Sequence, residues 1–385
     1  MSAFVACAMT AGQALAGQQS AEKPALSDYF PTAESHGGWR SLLPETGSPT
    51  AADKARIREL TGVDWDKLAT AWAFNAAIEG PSTVLVIRRG YIVGEWYKDC
   101  NRSTPFNIFS SSKSYTSMAF GLLLADSAAG RLPGKPKLTR DTRVCNPEWL
   151  PQSLPLSDTR RERITLDHLL HMTSGLGARG VGEKLPEKTP FEWAFGHVPG
   201  SPMTTLSGEP GTVFAYSNGN VAHLPVLFHN VSEEDLFPFL KRRVFDPIGI
   251  EQIRWDQIGG QGQIGPLSQA FSGIRTTPRQ HARFCYLALH RGQWAGNQIL
   301  PKDYFDWAWR GSEVQSDYAA LWWVSPHRRE APPDMVQTLG HASNNGYIIP
   351  SLDLVVVRLG TSDKLPPNSK PFDQQFTKLV LAAVQ

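Results

Sequence analysis

Apolar and polar positions divide the chain into strand-forming ends and a helix-rich middle. Ala51 to Leu68 has helical spacing, with Asp53, Lys54 and Arg56 on the outward side. A hairpin signal follows. STVLVIRRG supplies a β-branched run, Arg89-Gly90 a turn, and YIVGEWY the returning strand. Next, FNIFSSSKSYTSMAFGLLL (Phe106–Leu124) places Ser110 or Ser111 near an N-cap. A helix is predicted from Lys113 to Ala125, with Met118, Leu122 and Leu123 on one face. From about Gly130 to Ile264 the strand signal fades, and short helices alternate with Pro/Gly loops, as in ITLDHLLHMTSGLG and EEDLFPFLKRRVFDPIGI. Beyond that, TTPRQHARFCYLALHRG predicts an amphipathic helix. YAALWWVS, MVQTLGHASNNGYIIP and LDLVVVRLG predict three strands, and FDQQFTKLVLAAV a closing helix. The predicted class is α+β: an antiparallel sheet built from both ends of the chain, flanked by helices, with an inserted helical lobe.

The expected division is an α/β lobe at about 59–125 and 265–385 and a helical lobe at about 126–264. Residues 17–58, rich in Pro, Gly, Ser and charge, are expected to form an extended arm on the surface. Ser2 to Ala16 is small and apolar, and Ala14-Leu15-Ala16 precedes polar Gly17-Gln18-Gln19-Ser20. Residues 1–16 therefore resemble a secretory signal, although the usual positive start is missing; a periplasmic or secreted protein is expected. No later segment has the ~20 apolar residues needed to span a membrane.

Charge narrows the classes of function. Lys+Arg 38 against Asp+Glu 36 gives a formal net charge of +2. The basic clusters Arg160–Arg163, Lys241–Arg243 and His327–Arg329 are short and scattered, so no nucleic-acid partner is expected. Cys7, Cys100, Cys145 and Cys285 include no CxxC pair, so neither a zinc site nor a redox pair is indicated. A Cys100–Cys145 disulfide and buried free thiols are both compatible with an exported chain. His168 and His171 imitate metal ligands, but no Glu follows at the spacing a zinc hydrolase needs. No metal and no cofactor are expected.

The candidate chemistry lies in three short stretches. In the first, Ser110 and Lys113 share one helix face, at a helix start whose free N–H groups favour a developing oxyanion. A lysine half-buried beside a cation or an apolar wall loses proton affinity and can serve as a base. Ser111 and Ser112 lack the lysine three positions on. The second is Tyr216-Ser217-Asn218. A tyrosine beside a lysine can accept and return a proton, and Asn218 can either meet a substrate carbonyl or hold Lys113. The third is Gly340-His341-Ala342-Ser343, small residues on a predicted strand that let a substrate lie close. Trp322-Trp323 is expected to place one ring in the core and one on the cleft rim.

In this order the three stretches resemble the serine β-lactamase and penicillin-binding-protein superfamily, and its class C, esterase and 6-aminohexanoate-oligomer hydrolase branch in particular. ITLDHLLHMTSGLG, EPGTVFAYSNGN, VFDPIGI and FSGIRTTPRQHARF resemble further stretches of that branch, so the similarity runs from about Val84 to Leu359. It implies a β-lactamase/transpeptidase-like fold and an acyl-enzyme on Ser110. Lys113 would be its base partner and Tyr216 the proton relay, with an oxyanion hole from the backbone N–H groups of Ser110 and Asn344. Asn218, His341 and Ser343 would meet the substrate. The family's usual Lys-Thr-Gly is His341-Ala342-Ser343 here. The lysine and threonine that hold a β-lactam carboxylate are absent, and a neutral His341 replaces them poorly. That departure implies a small ester or linear amide substrate. A D,D-peptidase or weak β-lactamase, or a binding protein that kept the fold, are the alternatives.

Overall fold

The computed structural model describes residues 26–132, 134–177, 184–262, 264–327, 331–361, 365 and 370–384. The expected signal at 1–16, and Cys7 within it, lie outside the described residues. In place of one helix from Ala51 to Leu68 there are two, α1 (Ala51–Thr61) and α2 (Trp65–Ala76). Thr50 and Asp53 close a capping box at the start of α1. Gly62 ends it in the left-handed conformation (φ 70°), which glycine adopts without steric cost. Asp64 then accepts from the Lys67 N–H and opens the second helix.

Strands β1 (Ser82–Arg88) and β2 (Tyr91–Lys98) form the expected hairpin. Its turn residues Arg89 and Gly90 both have positive φ, 51° and 74°, the geometry whose twist matches flanking strands. The helix that carries Lys113 is α3 (Ser112–Ala128), and the helix expected from TTPRQHARFCYLALHRG is α4 (Pro278–Leu289). Late in the chain come β3 (Trp323–Val324), β4 (Val336–Thr338), β5 (Asn345–Ile349), β6 (Leu354–Gly360) and α5 (Lys370–Leu381). Most of YAALWWVS is loop, and only its end pairs as β3. The sheet order is β3-β4-β5-β6-β1-β2, antiparallel throughout, so early and late strands of the chain meet at the β6–β1 pair.

Alternation along β1 sends Leu85 and Ile87 to the face covered by α3 and α4. Val84 and Val86 go to the face covered by α1, α2 and α5. With helices on both faces, β1 and β6 are buried along their whole length. Between α3 and α4 the chain forms short helices, among them Leu166–Leu170, Asn218–Val221, His223–Ser232 and Leu236–Leu240. The segment before α1 is stitched inward rather than laid on the surface. Trp39 is buried in the main core, and fully buried Arg283 of α4 donates to the Pro31, Thr32 and Ile248 carbonyls. Tyr286 donates to the Tyr29 carbonyl at 2.9 Å. Cys100, Cys145 and Cys285 are all free, which decides between the two cysteine readings. Burial pushes the Cys145 thiol up to about 11. No helix among the described residues is long and apolar enough to cross a membrane.

Candidate active site

Helix α3 is buried almost all round, although its first two turns are rich in hydroxyl and charge. Those polar groups are tolerated because they are hydrogen-bonded, most of them to backbone groups of the surrounding chain and Tyr115 Oη to the His281 ring. Ser111 Oγ donates to the Asn344 carbonyl (2.6 Å), and Ser114 Oγ to that of Leu321 (2.9 Å). Thr116 Oγ1 donates to the Ala270 carbonyl (2.7 Å), and Ser117 Oγ to that of Ala320 (2.6 Å). Ser112 Oγ accepts from the Ile274 N–H at 3.2 Å. The serine run therefore divides by role. Ser111 and Ser112 fasten the helix start, while Ser110, on the 3₁₀ turn Phe109–Ser111, is half-exposed and faces Lys113.

Lys113 is buried, and its Nζ lies 3.0 Å from Ser110 Oγ. The same nitrogen donates to Asn218 Oδ1 at 2.7 Å and to the Phe271 carbonyl at 2.9 Å. It also stands 4.9 Å from the centre of the Tyr216 ring. Tyr216 and Asn218 arrive together because Ser217 caps the short helix Asn218–Val221 and the Ala215 N–H bonds the Met172 carbonyl. Ser110, Lys113, Tyr216 and Asn218 thus converge from two distant parts of the chain. Asn218 Oδ1 is one acceptor of Lys113 Nζ.

The third motif departs from expectation. His341-Ala342-Ser343 is not on a strand but in a 3₁₀ turn between β4 and β5, with Ala342 and Ser343 left-handed at φ 55° and 54°. This turn approaches Ser110 closely because Gly340 has no side chain; a Cβ there would lie 2.2 Å from the Ile108 carbonyl oxygen. The left-handed turn swings Ser343 inward. It is fully buried, its Oγ has no hydrogen-bond partner, and it does not front the cleft as expected of a substrate contact. His341 is exposed at the rim, edge-on to Phe109 with ring centres 5.3 Å apart. The Asn344 N–H makes only a long turn bond, 3.4 Å, to the His341 carbonyl.

Aromatic groups form the opposite wall. Trp322 is buried in the core and donates to Tyr304 Oη, while Trp323 stacks on Tyr216 at 5.7 Å. Tyr318 meets both Tyr216 (5.7 Å) and Trp323 (4.9 Å) edge-on. Tyr318 is itself buried and packs behind these two rings, and burial, with Tyr216 beside it, holds its phenol well above the usual range. His168 and His171 serve structural roles. His168 Nδ1 accepts from the Thr165 N–H, and His171 bridges Asp167 and the Arg310 carbonyl. Sequence reasoning missed the Phe271 carbonyl and Tyr318. A backbone acceptor has no residue signature, whereas Tyr318 needed its place in a loop.

The Beta-lactamase family profile matches residues 73–376, most of the chain. The chain belongs to the β-lactamase family. Solved structures similar to it share the fold at low identity. A Bacillus anthracis protein assigned as a 6-aminohexanoate-dimer hydrolase is 19% identical with a TM-score of 0.61, over 92% of this chain and 87% of that one. EstCE1, a hydrolase with promiscuous acyltransferase activity, is 18% identical with a TM-score of 0.61, over 82% and 99%. A penicillin-binding-protein homologue of Caulobacter crescentus is 12% identical with a TM-score of 0.61, over 83% and 97%. No curated protein matches the chain significantly in sequence. As a β-lactamase-family member with hydrolase neighbours, the chain has the setting of a hydrolytic enzyme.

Proposed function

We propose that this protein is a serine hydrolase that cleaves a small, uncharged ester or linear amide through an acyl-enzyme on Ser110. The observation that carries the reading is that buried Lys113 brings its Nζ to 3.0 Å from Ser110 Oγ while two fixed acceptors hold it there. Two of its partners, Asn218 Oδ1 and the Phe271 carbonyl, only accept hydrogen bonds. A neutral amine can donate to both and turn its lone pair toward Ser110 Oγ, 3.0 Å away. In that state Lys113 takes the serine proton as Oγ attacks the acyl carbon. Backbone N–H groups of Ser110 and Asn344 receive the oxyanion. Lys113, through Tyr216, returns the proton to the leaving group. Water, deprotonated by the same pair, then releases the acid and restores the enzyme.

Two features favour an uncharged substrate. His341 stands where the family's β-lactam-binding lysine would stand, and the facing aromatic rings are Tyr216 and Trp323. The neighbours assigned as a 6-aminohexanoate-dimer hydrolase and as EstCE1 support the amide-or-ester class. The test is intact-mass analysis with a fluorophosphonate, alongside turnover of short-chain p-nitrophenyl esters and of a chromogenic cephalosporin. One adduct on Ser110, and ester turnover lost by roughly 10⁴-fold or more in Ser110→Ala, are expected. The cephalosporin should be the poorer substrate. An unlabelled protein with equal turnover in the variant would sink the reading.

A further inference from the structure

Behind the turn that carries Asn344 lies a buried arginine whose contacts reach the site from the far side of the sheet. Arg358 is on β6, opposite Asn345 of β5, and is fully buried. Its Nη1 donates to the Ala342 carbonyl and, at 3.4 Å, to the Ser343 carbonyl. Its Nε donates to Asn75 Oδ1 of α2 at 2.8 Å, and Asn75 Nδ2 donates onward to Ser82 Oγ. The guanidinium also lies 5.4 Å over the Phe372 ring. Beside it, the Asn344 side chain is docked like an extra strand residue. Its Nδ2 donates to the Gly360 carbonyl and its Oδ1 accepts from the Gly360 N–H, both at 2.9 Å.

These contacts hold a conformation that the sequence alone does not favour. Ala342 and Ser343 are non-glycine residues in left-handed geometry, a strained conformation that persists only where the surroundings impose it. They also have an electrostatic effect. The Ser343 carbonyl and the Asn344 N–H are the two ends of one peptide group. A cation at the oxygen end polarises that peptide and makes its N–H a stronger donor.

We propose that Arg358 is a positioning residue for the oxyanion hole, fixing the Ala342–Asn344 turn from behind and polarising the Ser343–Asn344 peptide toward the reacting carbonyl. This rests on the acyl-enzyme reading above. Arg358 touches no reacting atom; it acts through the peptide. Burial lowers its pKa to about 10, with Tyr347 and Asp373 opposing, so it stays charged across the neutral range.

The test compares Arg358→Met and Arg358→Lys with the native enzyme and Ser110→Ala. It reads kcat and KM on a p-nitrophenyl ester, the inhibition constant of an arylboronic acid, and the melting temperature. The boronate adduct places a hydroxyl where the oxyanion forms, so it reports on the hole separately from ground-state binding. Arg358→Met is expected to lose roughly 10- to 100-fold in kcat and a similar factor in boronate affinity, with KM within about threefold. Arg358→Lys keeps the charge but loses the fork, and should fall three- to tenfold below native kcat at unchanged KM. A folded Arg358→Met with native kcat and boronate affinity would overturn the proposal. If that variant does not fold, native kcat in Arg358→Lys overturns it instead. Ester turnover retained by Ser110→Ala would sink the acyl-enzyme reading itself, whatever the Arg358 variants do.

Discussion

Replacing Gly340 by alanine adds one methyl group where the two turns of the site come nearest. The backbone there tolerates any residue, with φ −122° and ψ 159°. The obstacle is contact, because the new Cβ would sit 2.2 Å from the Ile108 oxygen and 2.8 Å from the Asn344 oxygen. Carbon and carbonyl oxygen need about 3.3 Å, so the turns must part by roughly 1 Å. Both obstacles are backbone atoms, and the Ile108 carbonyl lies two residues before Ser110, so no side chain can swing away. A 1 Å misplacement of catalytic groups costs about 10²-fold, equivalent to about 2.7 kcal/mol of transition-state stabilisation. Overpacking adds about 1–3 kcal/mol of lost stability, a fall in melting temperature of several degrees. Steady-state kinetics on a p-nitrophenyl ester, with a thermal melt of the same sample, measure both. The expected result is a kcat near one hundredth of native with KM little changed. A Gly340→Ala enzyme with native kcat and a native melt would refute the reasoning, since then neither the approach nor the role of Asn344 would be as described.

Further outcomes are as specific. Asn218→Ala removes the 2.7 Å acceptor of Lys113 and should lower kcat roughly ten- to hundredfold while fluorophosphonate still labels Ser110, only more slowly; native kcat would contradict the holding role. Trp323→Ala opens the aromatic wall beside Tyr216 and should raise KM about tenfold for phenyl-bearing esters but little for acetate esters, as paired kinetics would show. His223 and His281, lowered to about 3, and His290, lowered to about 4, all owe the shift first to burial. Their folded values lie below the ordinary 6.5, so the unfolded chain binds more protons between those limits. The stability they contribute is full above pH 6.5 and is lost as pH falls toward 4, by up to about 4 kcal/mol per pH unit for three histidines. Urea unfolding at pH 6.5 and 5.0 tests this, and equal stabilities would contradict it. Alkylation without reductant should modify Cys100, Cys145 and Cys285 in urea, but only part-buried Cys100 in the native protein, as peptide mass mapping would show.

The features legible in the sequence were those fixed locally. The β1–β2 hairpin declared itself because alternation and an Arg-Gly turn are sufficient to make one. Ser110 and Lys113 were legible as a pair because three positions on a helix set a shared face. The chain between Gly340 and Asn345 was not legible. Its two left-handed residues are alanine and serine, which give no turn signal, and the conformation is imposed by Arg358 and Asn344 through contacts with β6. The break in the first helix was present as Gly62 followed by Asp64, a stop and a start that the apolar spacing of Ala51–Leu68 concealed. Lys113 showed its residue type but not its partners, since one of them is the backbone of Phe271. Ser343 illustrates the reverse error. A motif position named it as a substrate contact, and the turn that carries it faces the side chain into the protein.

The inward stitching of the segment before α1 has a consequence for how the molecule is made. The Ser27 N–H bonds the Asp353 carboxylate, 326 positions further on, and Ser82 of β1 pairs with Gly360 of β6. A ribosome adding roughly 5–20 residues per second needs from about a quarter of a minute to a minute to supply the later partner. During that interval β1 lacks its β6 partner, and until α4 is made the segment before α1 lacks the Arg283 and Tyr286 contacts. The nascent chain therefore cannot complete its central sheet until the last strands have been released, and a chain cut short before β6 leaves its earliest residues without their partners.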